Sequence, residues 1–318
     1  MCLLRCLIRE AVRRTISAYP LGDCHMTTHV VADETLGKIS KRMWEVQRRL
    51  MEGTLDPEEV ARNLQLTAEG RQIILPDNPE ADESPFFAGR QVASTWDYPP
   101  EFTGIRPFSE QAAGMIRWLP NLDPTEAFKA SGTLQTIDPS TGFGWGLFPK
   151  LEKLGKTPED GMHAVIAALK KAHNGAFCDY REKWDKHYRI EERTLEALAM
   201  LGRKQTGDFV WFPFQFGLKN RGKAVQKVRY NYASREFGLD AILTGVQLLA
   251  HLTRLVRWEQ LHIDCPAGQY DPEADGSFPC APFFSFYDGR VGLGAGRCGG
   301  ARGGYGSVSG LLPQTLEA

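Results

Sequence analysis

Residues 282–293 read Pro-Phe-Phe-Ser-Phe-Tyr-Asp-Gly-Arg-Val-Gly-Leu. Pro282 to Tyr287 has strand composition, and Asp288-Gly289 is the two-residue signal of a tight hairpin turn. Arg290 to Leu293 then returns as a second strand. Gln260 to Cys265 has the same character, so the C-terminal end is expected to hold a small, mainly antiparallel sheet. Helical patterns precede it. Thr157 is a cap with Pro158 at the first helical position and Asp160 three residues on, and Met162, Val165, Ile166 and Leu169 form the apolar face. A second helix is expected over Ala176 to Lys204, with Tyr180, Trp184, Tyr188, Leu195, Leu198 and Leu201 inward. Asp208 to Gly217 reads as a strand that Pro213 relegates to an edge or a bulge. Gly238 to Val256 is apolar nearly all round and reads as a buried helix. Helices first and strands last point to an α+β domain over 156–318.

The hairpin runs on into Val291-Gly-Leu-Gly-Ala-Gly-Arg-Cys-Gly-Gly-Ala-Arg-Gly-Gly-Tyr-Gly306. Gly294, Gly296 and Gly299 match G-x-G-x-x-G, whose chemistry needs a helix to begin at the third glycine with its N–H groups facing a pyrophosphate. Further glycines follow instead, each costing about 1 kcal/mol in a helix. The 19 residues after Gly299 are too few for a helix, a returning strand and an acidic ribose ligand. Arg302-Gly-Gly-Tyr-Gly is a single RGG-type repeat, whereas such RNA-binding tracts need many. The tract is therefore expected to be ordered against the domain, with several glycines of 294–306 at positive φ.

Working toward the N-terminus, residues 76–155 are rich in proline and interleaved with aromatics, which points to turns and short strands over a core rather than a linker. One helix is expected from Ser109 to Leu119, capped by Ser109. Phe143-Gly-Trp-Gly-Leu-Phe148 could stack on a planar ligand or a sugar, and is weighed against simple burial. Residues 37–75 read as a helical hairpin. Ile39, Met43, Val46 and Leu50 line one face, Gly53 breaks the chain, and Asp56, Pro57 and Glu59 form a capping box for the second helix. Lys38, Lys41, Arg42, Arg48 and Arg49 make the first helix a nucleic-acid candidate. Asp56, Glu58 and Glu59 open the would-be recognition helix with the wrong sign. The hairpin therefore reads first as a surface for a protein partner. Residues 1–36 are expected to be a disordered leader. Its first 25 residues are Arg-rich and acid-poor, like a transit peptide, although initiation at Met26 is the preferred account.

Composition excludes several classes. With 38 Lys+Arg against 39 Asp+Glu, no global field favours nucleic acid or an anionic membrane. No apolar run approaches the length of a membrane span. Seven cysteines without regular spacing argue for a reducing cytoplasm over a disulfide framework.

Three constellations could carry chemistry. Asp271, Glu273 and Asp275 with Gly276 imitate the opening of an EF-hand loop, but Pro282 stands where the bidentate glutamate belongs. His262, Cys265, Cys280 and Cys298 supply zinc-ligand types with one knuckle where two are usual, and strand alternation puts His262 and Cys265 on opposite faces. Cys265 with His262 and Asp264 could form a thiol nucleophile, base and orienter, if space brought them together.

Five stretches, Trp44 to Val60, Asp208 to Gly217, Gln260 to Cys265, Ala274 to Phe278 and Ser307 to Gln314, resemble a group of uncharacterised proteins from candidate-phylum bacteria such as Parcubacteria. The resemblance covers residues from about 37 to the end. It implies a bacterial origin and carries no activity, so it assigns no functional residue. The expectation is thus a soluble, cytoplasmic α+β protein that binds rather than catalyses, with no cofactor. A hydrolase-like or thiol enzyme built on His262, Asp264 and Cys265 is the competing class, and nucleic-acid association through helix 38–52 is the third.

Overall fold

The computed structural model describes residues 89–132, 134, 137, 142–181 and 183–313, together with Met43 and Val46. The chain divides into two units, 1–73 and 74–318. In the first, Met43 and Val46 are helical. The rest of the expected helical hairpin 37–75, with Lys38, Lys41, Arg42, Arg48 and Arg49, and the leader 1–36 lie outside the described residues.

In the second unit the described elements run α1 (Phe108–Ile116), α2 (Thr125–Ser131), β1 (Gly144–Pro149), α3 (Leu151–Leu154), α4 (Pro158–Ala172), β2 (Phe177–Asp179), β3 (Tyr188–Ile190), α5 (Glu192–Lys204) and β4 (Phe209–Gln215). There come next α6 (Val225–Tyr230), β5 (Glu236–Gly238), α7 (Ala241–Ala250), β6 (His262–Asp264), β7 (Gly268–Tyr270), β8 (Cys280–Tyr287), β9 (Arg290–Arg297), β10 (Tyr305–Ser307) and β11 (Ser309–Leu311). The class is α+β, with two sheets where one was expected. The smaller has the order β1-β4-β11-β5; the larger has β10-β6-β8-β7-β3, with β9 joining β8 to β2. Pairing is mostly antiparallel, the exceptions being β10 with β6 and β2 with β9. Val308, fully buried, is the one residue between β10 and β11, so the chain steps from one sheet to the other there. Among the described residues no helix is long and apolar enough to cross a membrane.

The hairpin at 282–293 forms as its composition requires. β8 and β9 pair from Cys280↔Arg297 to Tyr287↔Arg290. Asp288 and Gly289 have φ of 50° and 72°, the positive values a tight two-residue turn needs. The Thr157 cap also forms as a full capping box, Asp160 N–H donating to the Thr157 hydroxyl at 3.2 Å and Thr157 N–H to the Asp160 carboxylate at 3.1 Å. Every residue of α7 is buried. Its Gly245 faces Val165 and Leu169 of α4 and Phe284 of β8, which places this helix between α4 and the inner face of the larger sheet.

Three expectations are corrected. Residues 176–204 are not one helix. Asn174 and Gly175, both at positive φ, end α4, and the chain enters β2, which pairs with β9. Trp184 and Tyr188 are buried as expected, but Tyr180 is 53% exposed and Leu195 41% exposed. The four-residue spacing of Tyr180, Trp184 and Tyr188 imitated a helix, and sheet pairing overrode it. Helix α1 starts at Phe108 after Pro107, with no side-chain cap from Ser109. Finally, Phe102, Met115, Leu147 and Phe148 belong to the same continuous core as Met162, Leu249 and Leu293, across the 155/156 boundary that composition marks.

Glutamine side chains stand in for missing strand neighbours. β1 is an edge strand, and the buried Gln111 amide receives Leu147 N–H at 2.8 Å while donating to Trp145 C=O at 2.8 Å. Gln205 does the same for Trp211 in β4, receiving its N–H at 2.8 Å and donating to its C=O at 2.9 Å. This explains how Pro213 fits an internal strand. The N–H groups of alternate residues point the same way, so the N–H that Pro213 lacks would face Leu311 at the end of β11, just past the last β4–β11 pair, Gly310↔Phe214.

Candidate functional site

Strand alternation sorts the larger sheet into two faces. Ile263, Phe284, Val291, Leu293 and Ala295 point into the core. His262 and Asp264 of β6 and Phe283, Ser285 and Tyr287 of β8 take the opposite face, with Tyr305 of β10 in register with His262. On β9 that outer face carries Arg290 opposite Tyr287 and then Gly292, Gly294 and Gly296.

The glycines let aromatic rings approach the strand closely. A Cβ at Gly292 would come within 2.6 Å of the Tyr180 ring, and one at Gly294 within 2.8 Å of the Phe283 ring. Gly304 underlies Trp96 in the same way, at 3.4 Å. The tract is therefore ordered against the domain as expected, but none of the glycines from 294 to 306 has positive φ. Close approach, not backbone conformation, is what requires glycine there.

An aromatic cluster covers the β6 side of the face. The His262 imidazole sits 5.0 Å from Trp258, 5.0 Å from Tyr305 and 6.0 Å from Trp96, all edge to face. Trp258 in turn meets Tyr287 at 5.5 Å. The Arg302 guanidinium lies 3.5 Å over Tyr305 and 4.7 Å over Phe283, and pairs with the Asp264 carboxylate. Buried Arg254 holds the loop that carries Trp258, donating to Leu261 C=O at 2.8 Å and Phe216 C=O at 3.0 Å, with Tyr98 4.5 Å from its guanidinium. Burial lowers its pKa to about 10, so it stays charged at neutral pH.

The expected thiol constellation is not assembled. Burial holds the Cys265 thiol well above the usual range, and its side-chain partner is Thr244 of α7, on the core side. Asp264 pairs with Arg302 rather than orienting His262. The His262 ring is 1% exposed, its Nε2 bonds Trp258 C=O at 3.1 Å, and its Nδ1 is buried without a partner. Burial, with lesser pushes from Arg254 and Arg302, lowers its pKa to about 4. A neutral, enclosed imidazole away from a buried thiol is a poor base–nucleophile pair.

The metal candidates fare likewise. Asp271 turns inward and accepts N–H bonds from Glu273 at 3.2 Å and Gly276 at 2.6 Å, so its carboxylate shapes its own loop. Glu273 and Asp275 are exposed. Cys298 contacts Arg229, and Cys280 stands opposite Arg297. Among the described residues, no group of three His, Cys, Asp or Glu is arranged to hold a metal ion. Within 143–148, Leu147 and Phe148 are fully buried core residues, Phe148 stacking on Phe212 at 4.2 Å, while Phe143 and Trp145 are half-buried.

Sequence reasoning passed over the rings that stand free. Tyr287 is 60% exposed and Trp258 46% exposed, and both share the outer face with Tyr180. The available signal was the alternation of β8 and β9, which puts Tyr287 on the face away from the core, opposite Arg290, with glycines further along β9. Comparison of the chain with protein-family models, with curated proteins and with solved structures finds no match.

Proposed function

We propose that the protein acts by binding, without catalysis, and that the outer face around the β8–β9 hairpin is its recognition surface. The observation that carries this reading is the grouping of Tyr180, Trp258 and Tyr287, each about half exposed, on one face of a well-paired sheet. Tyrosine and tryptophan bring large contact area at small entropic cost, and dominate the energetics of recognition sites. The buried Cys265 and the Asp264–Arg302 pair weigh against the thiol-enzyme alternative. The basic residues 38–49 of the nucleic-acid alternative lie outside the described residues.

The test is a parallel screen of the wild-type chain and a Tyr180→Ser/Tyr287→Ser variant against arrayed glycans, single-stranded oligonucleotides and peptides. Binding that the double variant loses supports the assignment. If the variant binds as the wild type does, another surface is responsible.

A further inference from the structure

We infer that the ligand of this face is an uncharged glycan chain. The inference rests on the binding role proposed above and names the chemistry of the ligand.

Charge is the first consideration. The arginines of the face come with acids: Arg302 pairs with Asp264, and Arg257, next to Trp258, pairs with Glu101. Arg290 and Asp288 both flank the Tyr180 hydroxyl and act on it in opposite senses, and Glu259 is exposed beside Trp258. A polyphosphate would meet no net positive field, whereas nucleic-acid surfaces depend on one. A neutral ligand loses nothing there.

Ring presentation is the second. The Tyr180 ring meets Gly292 by its Cε2 edge and is 53% exposed, so π-surface of the ring reaches solvent. The exposed π-face carries partial negative charge. Its complement is a flat apolar surface of weakly positive C–H groups whose rim is all hydroxyl, which describes a pyranose ring. The rim finds its partners in the hydroxyls of Tyr180 and Tyr287, the Asp288 carboxylate and the Arg290 guanidinium.

Spacing is the third. Tyr180 comes one residue past the Asp179↔Leu293 pair, whereas Tyr287 stands opposite Arg290, so their Cα atoms are two strand spacings apart across the sheet and about four residues apart along it, roughly 16 Å. Trp258 extends the row 5.5 Å beyond Tyr287. A row of this length accommodates a few consecutive sugar units of an extended chain rather than one free monosaccharide. Because the rings are fixed on a paired sheet, little side-chain freedom is lost on binding.

The experiment is affinity retention of the full chain on cellulose, chitin and xylan, with heparin and single-stranded DNA columns alongside, at low and high salt. Tyr180→Ser and Tyr287→Ser are run in parallel, with circular dichroism as the folding control. The expected result is retention on a neutral polysaccharide, unaffected by salt and weakened about tenfold or more by either substitution. Retention only on heparin or DNA, abolished by salt and by Tyr287→Ser, overturns the glycan and leaves the recognition face standing. Polysaccharide retention that neither substitution weakens overturns the face itself. Absence of retention on all three polysaccharides overturns the glycan inference.

Discussion

Acidification should destabilise this protein through its buried histidines, and the share of His251 can be isolated. His251 ends α7 fully buried, against Phe102 at 5.8 Å and Phe216 at 5.4 Å. Arg106 N–H donates to its Nε2 at 3.0 Å, so its Nδ1 carries the proton and donates to Gln247 C=O at 2.9 Å. Protonating Nε2 would set a second N–H against that of Arg106. Burial, with the nearby Arg106 and Arg254 charges, lowers the pKa to about 4. An unfolded histidine titrates near 6.5. Between these values the unfolded chain holds a proton that the folded chain lacks, so stability falls as pH falls and the loss is complete below about pH 4. The full loss is roughly 3 kcal/mol, of which roughly 2 kcal/mol is gone at about pH 5. Urea unfolding of the wild type and His251→Phe at about pH 7 and about pH 5 measures it. Phenylalanine keeps the ring contacts and cannot titrate. The orphaned Arg106 N–H costs the same at both pH values and cancels, as do the buried carboxyls Asp240 and Asp264, whose raised pKa values favour the folded state in acid in both proteins. The wild type should lose roughly 2 kcal/mol more than the variant over this interval. Equal losses would refute the argument.

Four further substitutions probe the scaffold by chemical denaturation. Gly306→Ala would drive a Cβ into the Gly217 backbone, which cannot step aside, and should cost about 3 kcal/mol or prevent folding. Gly300→Ala meets nothing within 4 Å and should stay within about 0.5 kcal/mol of wild type; similar costs at the two positions would contradict this account. Arg254→Lys keeps the charge but cannot bridge the Leu261 and Phe216 carbonyls while lying among aromatic rings, so a loss of about 2–4 kcal/mol is expected, and a silent substitution would show that the guanidinium fork is dispensable. Gln111→Leu fills the same space while stripping Trp145 C=O and Leu147 N–H of their partner, and should cost about 2–4 kcal/mol; near-neutrality would mean that water replaces the amide.

What the sequence disclosed is local in origin. The β8–β9 hairpin was legible because Asp288-Gly289 dictates its turn, and the α4 cap because Thr157, Pro158 and Asp160 satisfy one another within four residues. The apolar run 238–256 announced the burial of α7 through composition alone. Strands β2, β3, β5, β10 and β11 have three residues each, too short for alternation to register, and their partners lie far away in sequence. The division into two sheets was therefore hidden, together with the passage through Val308. At the site, alternation correctly set His262 and Cys265 on opposite sides, since Cys265 neighbours Thr244 of the core helix. The exposed rings were missed for the complementary reason. Tyr180 was drawn inward by a false helical period, and nothing local distinguishes the half-exposed Trp258 from the buried Trp184.

The glycines that imitate a cofactor fingerprint are what join the fold to the proposed activity. Gly292, Gly294 and Gly296 alternate because a strand alternates, and all three occupy the face away from the core. Side chains there would hold Tyr180 and Phe283 off the sheet. Gly292→Ala separates this support from stability. The atoms its Cβ would meet most closely belong to the end of the Tyr180 ring, while the Ser285 hydroxyl is 3.5 Å away. The ring can swing outward at little cost to the fold, so stability should change by less than about 1 kcal/mol. The swung ring no longer rests on the strand and regains rotamer freedom that binding must remove. Retention on the neutral polysaccharide should therefore fall in Gly292→Ala nearly as far as in Tyr180→Ser, although every aromatic residue is still present. Full retention by Gly292→Ala would show that the ring needs no support from the strand, and the glycine alternation on β9 would then serve packing alone.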